Sequence, residues 1–166
     1  MPKSPPRPIH PARFHERLGC RGEELARLFA VLEAREPRPP PGELSLAFLS
    51  DEALARIHAQ FLGDPTPTDV ITFPGEPEAN LAGEICVSVD TAARVAAERG
   101  EPFARELTLY LVHGWLHLAG YDDHTEADIL AMREAERACL AAVEAAGALP
   151  AFTLDAAPRG KAHGPD

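Results

Sequence analysis

The stretch His113-Gly114-Trp115-Leu116-His117-Leu118-Ala119-Gly120-Tyr121-Asp122-Asp123-His124 constrains this chain more than any other part of it. Histidines at i and i+4 share a direction when they stand on a helix, one turn above the other. Gly120, three residues on, can take the positive φ that ends a helix and turns the chain back. A third imidazole, His124, then comes within reach of the first two. Three neutral imidazoles with one position open are the ligand set of a catalytic zinc, whereas a structural zinc is normally closed by a fourth ligand, usually cysteine. The expected ligands are therefore His113, His117 and His124 around a single ion, Zn2+ by preference, although imidazoles also suit nickel, copper and iron. Cys20, Cys86 and Cys139 are widely spaced with no CxxC pair, which argues against a cysteine zinc site and a disulfide framework.

The residues before the motif extend the helix. Phe103 to Leu118 is apolar almost all round, so it should cross the interior as a metal-bearing helix of the zincin kind, HxxxHxxGxxxH. Glu106, Tyr110, His113 and His117 fall on one stripe of it. Glu106 is placed to orient an imidazole through its second nitrogen; Tyr110 reads as core. His10, His15, His58 and His163 have no such company and read as solvent-exposed.

Around this helix the pattern alternates between helix and strand periods. Gly22 to Arg35 reads as an amphipathic helix ended by Pro37, Pro39, Pro40 and Pro41. Leu44 to Leu49 reads as a strand, followed by a helix capped by Ser50 and running to about Phe61. Residues 63–67 read as a loop, 69–73 and 81–89 as strands, and Asp90 as the cap of a helix reaching Arg99. Pro102 opens the central helix. Thr125 and Asp128 form a capping box for a last helix closed by Gly147 and Pro150. The expected fold is α+β, a small mixed sheet packed with helices. The expected organisation is a loosely ordered segment over 1–17 with room for a short strand, a single hydrolase domain over 18–147, and a flexible tail over 148–166.

Charge narrows the function. The net charge is −10, and residues 39–100 carry 3 Lys/Arg against 10 Asp/Glu. Such a chain does not hold nucleic acid by bulk charge, which counts against nucleic-acid binding in general; no DNA partner is expected, and an RNA substrate would need a local basic patch together with the metal. No apolar run spans a bilayer and residues 1–11 do not read as a secretory signal, so no membrane is expected and the expected compartment is the cytoplasm. In a zinc peptidase a glutamate follows the first histidine of the helix and acts as general base. Here that place is Gly114, which counts against a peptidase or amidase. Asp69, Asp122, Asp123 and Glu126 are the carboxylates that could replace it, although Asp122 and Asp123 read more simply as turn residues.

The motif closely resembles the signature of the YbeY endoribonucleases, HGxLHLxGYDH, in a form with one extra residue before the last histidine. Pro67-Thr68-Asp69-Val70-Ile71-Thr72-Phe73-Pro74 is similar to that family's PTDVLSFP. Gly83 to Ser88 is similar to its GDIxIS strand, and Glu106-Leu107 matches a pair seven residues before the first histidine. The resemblance covers about residues 44–145. It implies a zinc-dependent endoribonuclease specific for single strands, acting on the 3′ end of small-subunit ribosomal RNA and in ribosome quality control. Single-stranded or ribosomal RNA and the small subunit or its proteins would be partners. His113, His117 and His124 would act through the metal, with Asp69 and Glu106 as minor contributors. A departure is Leu62, where many members carry an arginine, with His58 in place of an asparagine. Arg56, Arg94 and Arg105 are the cations that could compensate. The competing readings are a non-catalytic, zinc-stabilised ribosome-assembly factor and, behind it, a zinc peptidase or amidase.

Overall fold

The structure is a computed structural model that describes residues 6–63 and 68–156, with Leu62 placed through its backbone only. The elements are β1 (Ile9–Arg13), β2 (Leu18–Gly19), α1 (Gly22–Glu33), β3 (Glu43–Leu49), α2 (Asp51–Leu62), β4 (Val70–Glu76), β5 (Leu81–Ser88), α3 (Val89–Arg99), α4 (Phe103–Leu118), α5 (Glu126–Ala145) and β6 (Thr153–Leu154). The main sheet has the order β1-β3-β5-β4. β1, β3 and β5 are parallel and β4 runs antiparallel to β5, so the sheet is mixed as expected.

Side-chain alternation along the inner strands divides the core. From β3 and β5, Leu44, Leu46, Phe48, Ile85 and Val87 face the layer built by α1, α4 and α5. Ala47, Leu49 and Cys86 face the other way, with Ile71 of β4, and are covered by Leu54 and Ile57 of α2. α4 lies inside the first layer. Leu107, Leu111, Val112, Trp115 and Leu116 are all buried, which is why its sequence is apolar nearly all round.

Several local expectations shift. α3 is capped by Ser88, whose Oγ accepts from Thr91 N at 3.0 Å, and not by Asp90. The Asp90 carboxylate instead accepts from Asp51 N and pairs with His15. His15 is therefore not solvent-exposed: its side chain is 7% accessible. β4 runs past Pro74, because at a sheet edge the missing N–H interrupts no ladder. The expected loop at 63–67 lies outside the described residues beyond Gly63.

At the N-terminal end the short strand for which the sequence leaves room is present. β1 falls inside the segment read as loosely ordered and pairs with β3; its Pro11 is again on an edge. The chain after Gly147 stays on the body of the protein as far as it is described. Ala148 and Phe152 are buried, Phe152 sits 5.8 Å from Phe48, and β6 pairs antiparallel with β2. Burial of Phe152 and Ala148 and the β2–β6 pairing together offset the entropy of ordering this stretch, whose signal in the sequence is only a short apolar patch beyond a helix stop.

Candidate metal centre

α4 brings His113 and His117 together, with ring centroids 6.0 Å apart. Each ring is tied through Nδ1. His117 Nδ1 donates to the carbonyl oxygen of Tyr121 at 2.9 Å. His113 Nδ1 lies 2.6 Å from Glu136 Oε2. A carbonyl or carboxylate oxygen can only accept, so Nδ1 carries the proton in both rings. In the neutral rings this leaves the Nε2 lone pairs available. The Glu136 carboxylate raises the His113 pKa above the ordinary imidazole value; burial works in the opposite direction, and Asp69 and Asp123 add to the rise at longer range.

After α4, Gly120 takes φ +115° and the chain reverses into the turn 121–124. This turn carries Asp122 and Asp123 to His117, where one donor atom from each of the three residues lies within 4.8 Å of the others. Asp123 Oδ2 is also 3.9 Å from His113 Nε2. The two aspartates, which read more simply as turn residues than as replacements for the general base, thus stand beside the imidazoles. His124 is not brought into this group. Its ring is 79% exposed and its Nε2 rests 3.1 Å from Asp122 Oδ1, at the rim. The extra residue in the turn sets Asp123, and not His124, three residues after Gly120.

The other expected site residues take different places. Glu106 is buried at 7% accessibility, but it meets the Tyr110 hydroxyl, whose pKa is raised first by burial and then by this carboxylate. The carboxylate hydrogen-bonded to an imidazole of α4 is Glu136, which sequence reasoning missed. Asp69 is exposed just before β4; its backbone carbonyl accepts from Ser88 N, while its charge reaches His113. Glu126 is exposed in the first turn of α5. Arg94 and Arg105 are engaged by Asp51 and Glu144, and Arg56 is exposed on α2. The three cysteines are free thiols, and burial, reinforced by Glu84, pushes Cys86 up to about 12, so it supplies no thiolate ligand.

Gly114 packs against the sheet. A Cβ there would stand 2.5 Å from Cγ2 of Ile85 in β5. The position that holds the general base of a helical zinc peptidase therefore faces the core and not the imidazoles. Beside His117 opens a cleft of about 330 Å³, bounded by Thr72, Pro74 and Gly75 of β4, by Leu81 and by Leu118.

Two imidazoles with fixed tautomers, facing an acidic turn, are nitrogen and oxygen donors of the kind that suit a divalent transition metal. The fold and this donor set define an α+β protein with a candidate metal centre at the end of its central helix. The profile of the family described as "Endoribonuclease YbeY" matches residues 22–144, and the chain belongs to that family. It is 41% identical over 116 residues to the protein of that name from Sinorhizobium fredii, covering 66% of this chain and 64% of that one. The Protochlamydia amoebophila protein of the same name is 42% identical over 118 residues, covering 68% and 79%. That of Moorella thermoacetica is 38% identical over 138 residues, covering 74% and 88%. The fold is similar to the solution structure of TM1509 from Thermotoga maritima, with a TM-score of 0.58 and 27% identity over 84% of this chain and 91% of that one.

Proposed function

We propose that this chain is a zinc-dependent endoribonuclease that cuts single-stranded RNA, acting in the cytoplasm on the 3′ end of small-subunit ribosomal RNA and in ribosome quality control. The observation that carries the reading is the pair of imidazoles on α4, each with Nδ1 occupied and Nε2 left to bind an ion. The family membership supplies the substrate class.

His113 and His117 are the ligands on the helix, and His124, which pairs with Asp122, is the third ligand that the motif implies. A bound zinc supplies Lewis acidity toward water and a phosphoryl oxygen. The tie to the Tyr121 carbonyl keeps the His117 ring from turning, and Glu136 does the same for His113. Asp122 and Asp123 repel a phosphodiester at this range, so RNA enters only when the cation offsets them. The cleft beside His117 would receive an unstacked base, with the His117 ring as the aromatic surface in its lining.

A second reading, a non-catalytic assembly factor stabilised by zinc, draws on the carboxylates that engage Arg94 and Arg105. Zinc-loaded protein assayed on labelled single-stranded RNA, double-stranded RNA and casein, beside His113→Ala and His117→Ala, separates the readings. Cleavage of single strands alone, lost in both variants, is the expected result. Casein cleavage would establish a peptidase. No cleavage together with zinc-dependent co-sedimentation with small ribosomal subunits would establish the assembly factor.

A further inference from the structure

We propose that Glu136 is a positioning residue of the metal centre: its carboxylate holds the Nδ1 proton of His113 and so aims the Nε2 lone pair at the ion. The proposal rests on the reading of α4 as the metal-bearing helix. Glu136 stands on α5, 23 residues from His113 in sequence, yet its Oε2 is 2.6 Å from His113 Nδ1. That is the short distance of a charge-assisted bond. The pair is well shielded, with the Glu136 side chain 16% accessible and that of His113 26%.

The carboxylate is held where it is by packing. One turn earlier on the same face, Met132 is buried in the main core, and on the turn after, Cys139 and Leu140 are buried too. The start of α5 is fixed by its capping box, in which Thr125 and Asp128 satisfy each other's backbone N–H groups. The helix therefore presents Glu136 to α4 as a fixed acceptor. A ring bonded this way has lost the freedom to flip or to move its proton to Nε2, and its ligand nitrogen is more basic than in a free imidazole. His117 receives the weaker form of the same device from a neutral carbonyl, so the two ligands are not equivalent.

The test uses Glu136→Gln and Glu136→Ala in the full chain. The glutamine carbonyl can still accept from Nδ1 but carries no charge; alanine removes the acceptor. Nitrogen NMR of the labelled His113 ring in metal-free protein should show the Nδ1–H form in the parent and in Glu136→Gln, and a mixture of tautomers in Glu136→Ala. Competition against a chromogenic chelator should show zinc held about 10- to 100-fold more weakly by Glu136→Ala, with a smaller loss in Glu136→Gln. An alanine variant that keeps the Nδ1–H form and binds zinc within twofold of the parent overturns the proposal, even if it melts earlier, since Glu136 would then serve packing alone. A parent chain that binds no zinc overturns the metal reading, while the tautomer measurement still decides what Glu136 does.

Discussion

Gly114→Ala should destabilise the protein, although helix propensity alone says the opposite. In the interior of a helix, alanine in place of glycine is favoured by about 1 kcal/mol. At this position the new methyl would stand 2.5 Å from Ile85 Cγ2, 3.1 Å from Cγ1 and 3.3 Å from Cδ1. Ordinary contact is about 3.5–4.0 Å, so one side must yield by about an ångström. Ile85 cannot, because it is wholly buried in β5 between two paired strands. Overpacking of this kind costs about 1–3 kcal/mol, and so close a contact belongs at the upper end. The net loss is then about 1–2 kcal/mol, or a fall in Tm of roughly 3–7 °C for a chain of this size. Thermal unfolding followed by circular dichroism reads it directly. In an Ile85→Ala background the obstacle is gone, and the same Gly114→Ala change should stabilise by about 1 kcal/mol, the propensity alone. A variant that melts at or above the parent temperature, or that behaves alike in both backgrounds, would refute the packing of α4 on β5. With it would go the argument that no peptidase-type glutamate fits at 114.

Further outcomes follow from the same structure. Phe152→Ala should cost about 3–5 kcal/mol in urea unfolding, because the ring packs on Phe48 in the core; a flexible tail would show no change. For Asp51, burial pushes the carboxyl pKa up, but hydrogen bonds from Ser88, Thr91 and Arg94 outweigh it and hold the group below its usual value. A depressed folded value stabilises above the unfolded pKa of about 3.9 and is lost as pH falls through the folded value. Asp51→Asn should therefore melt below the parent at neutral pH, with the gap closing below about pH 3.9; a gap constant with pH would refute the ion-pair assignment. For the third ligand, His124→Ala should weaken zinc binding at least about tenfold and Asp123→Ala less, by chelator competition, ligand loss being no smaller than loss of an orienting partner. The reverse order would make the Asp123 carboxylate the third ligand, as its place beside both imidazoles allows.

What could be read from the sequence was what local geometry governs. The i, i+4 histidines, the reversal at Gly120 and the capping box of α5 depend on residues within one or two turns, and all stand as expected. Ser88 and Asp90 were harder to tell apart, since both are good caps. The choice fell to Ser88 because Asp90 is drawn off by the Asp51 N–H and by His15, 75 residues away in sequence. Glu106 takes another partner for a related reason. It shares the histidine stripe, but it lies nearly two turns above His113, and at that distance Tyr110 intercepts it. The partner that reaches His113 comes from another helix, and no spacing rule along α4 could have found it.

The candidate ligands are specified by a stretch of a dozen residues, but the protonation pattern that would fit them for a metal is specified at a distance, by the packing of α5 through Met132, Cys139 and Leu140. A substitution that shifts α5 by half an ångström leaves the motif intact while lengthening the 2.6 Å bond to His113 beyond the range of a strong charge-assisted contact. Met132→Ala, which opens a cavity one turn before Glu136, should therefore lower both stability and zinc affinity, by about 2–5 kcal/mol in unfolding. Zinc affinity measured well below the melting transition separates the two effects. If it is unchanged while the protein is destabilised by that amount, then α5 is not what holds Glu136 against His113, and the coupling between core and site is absent.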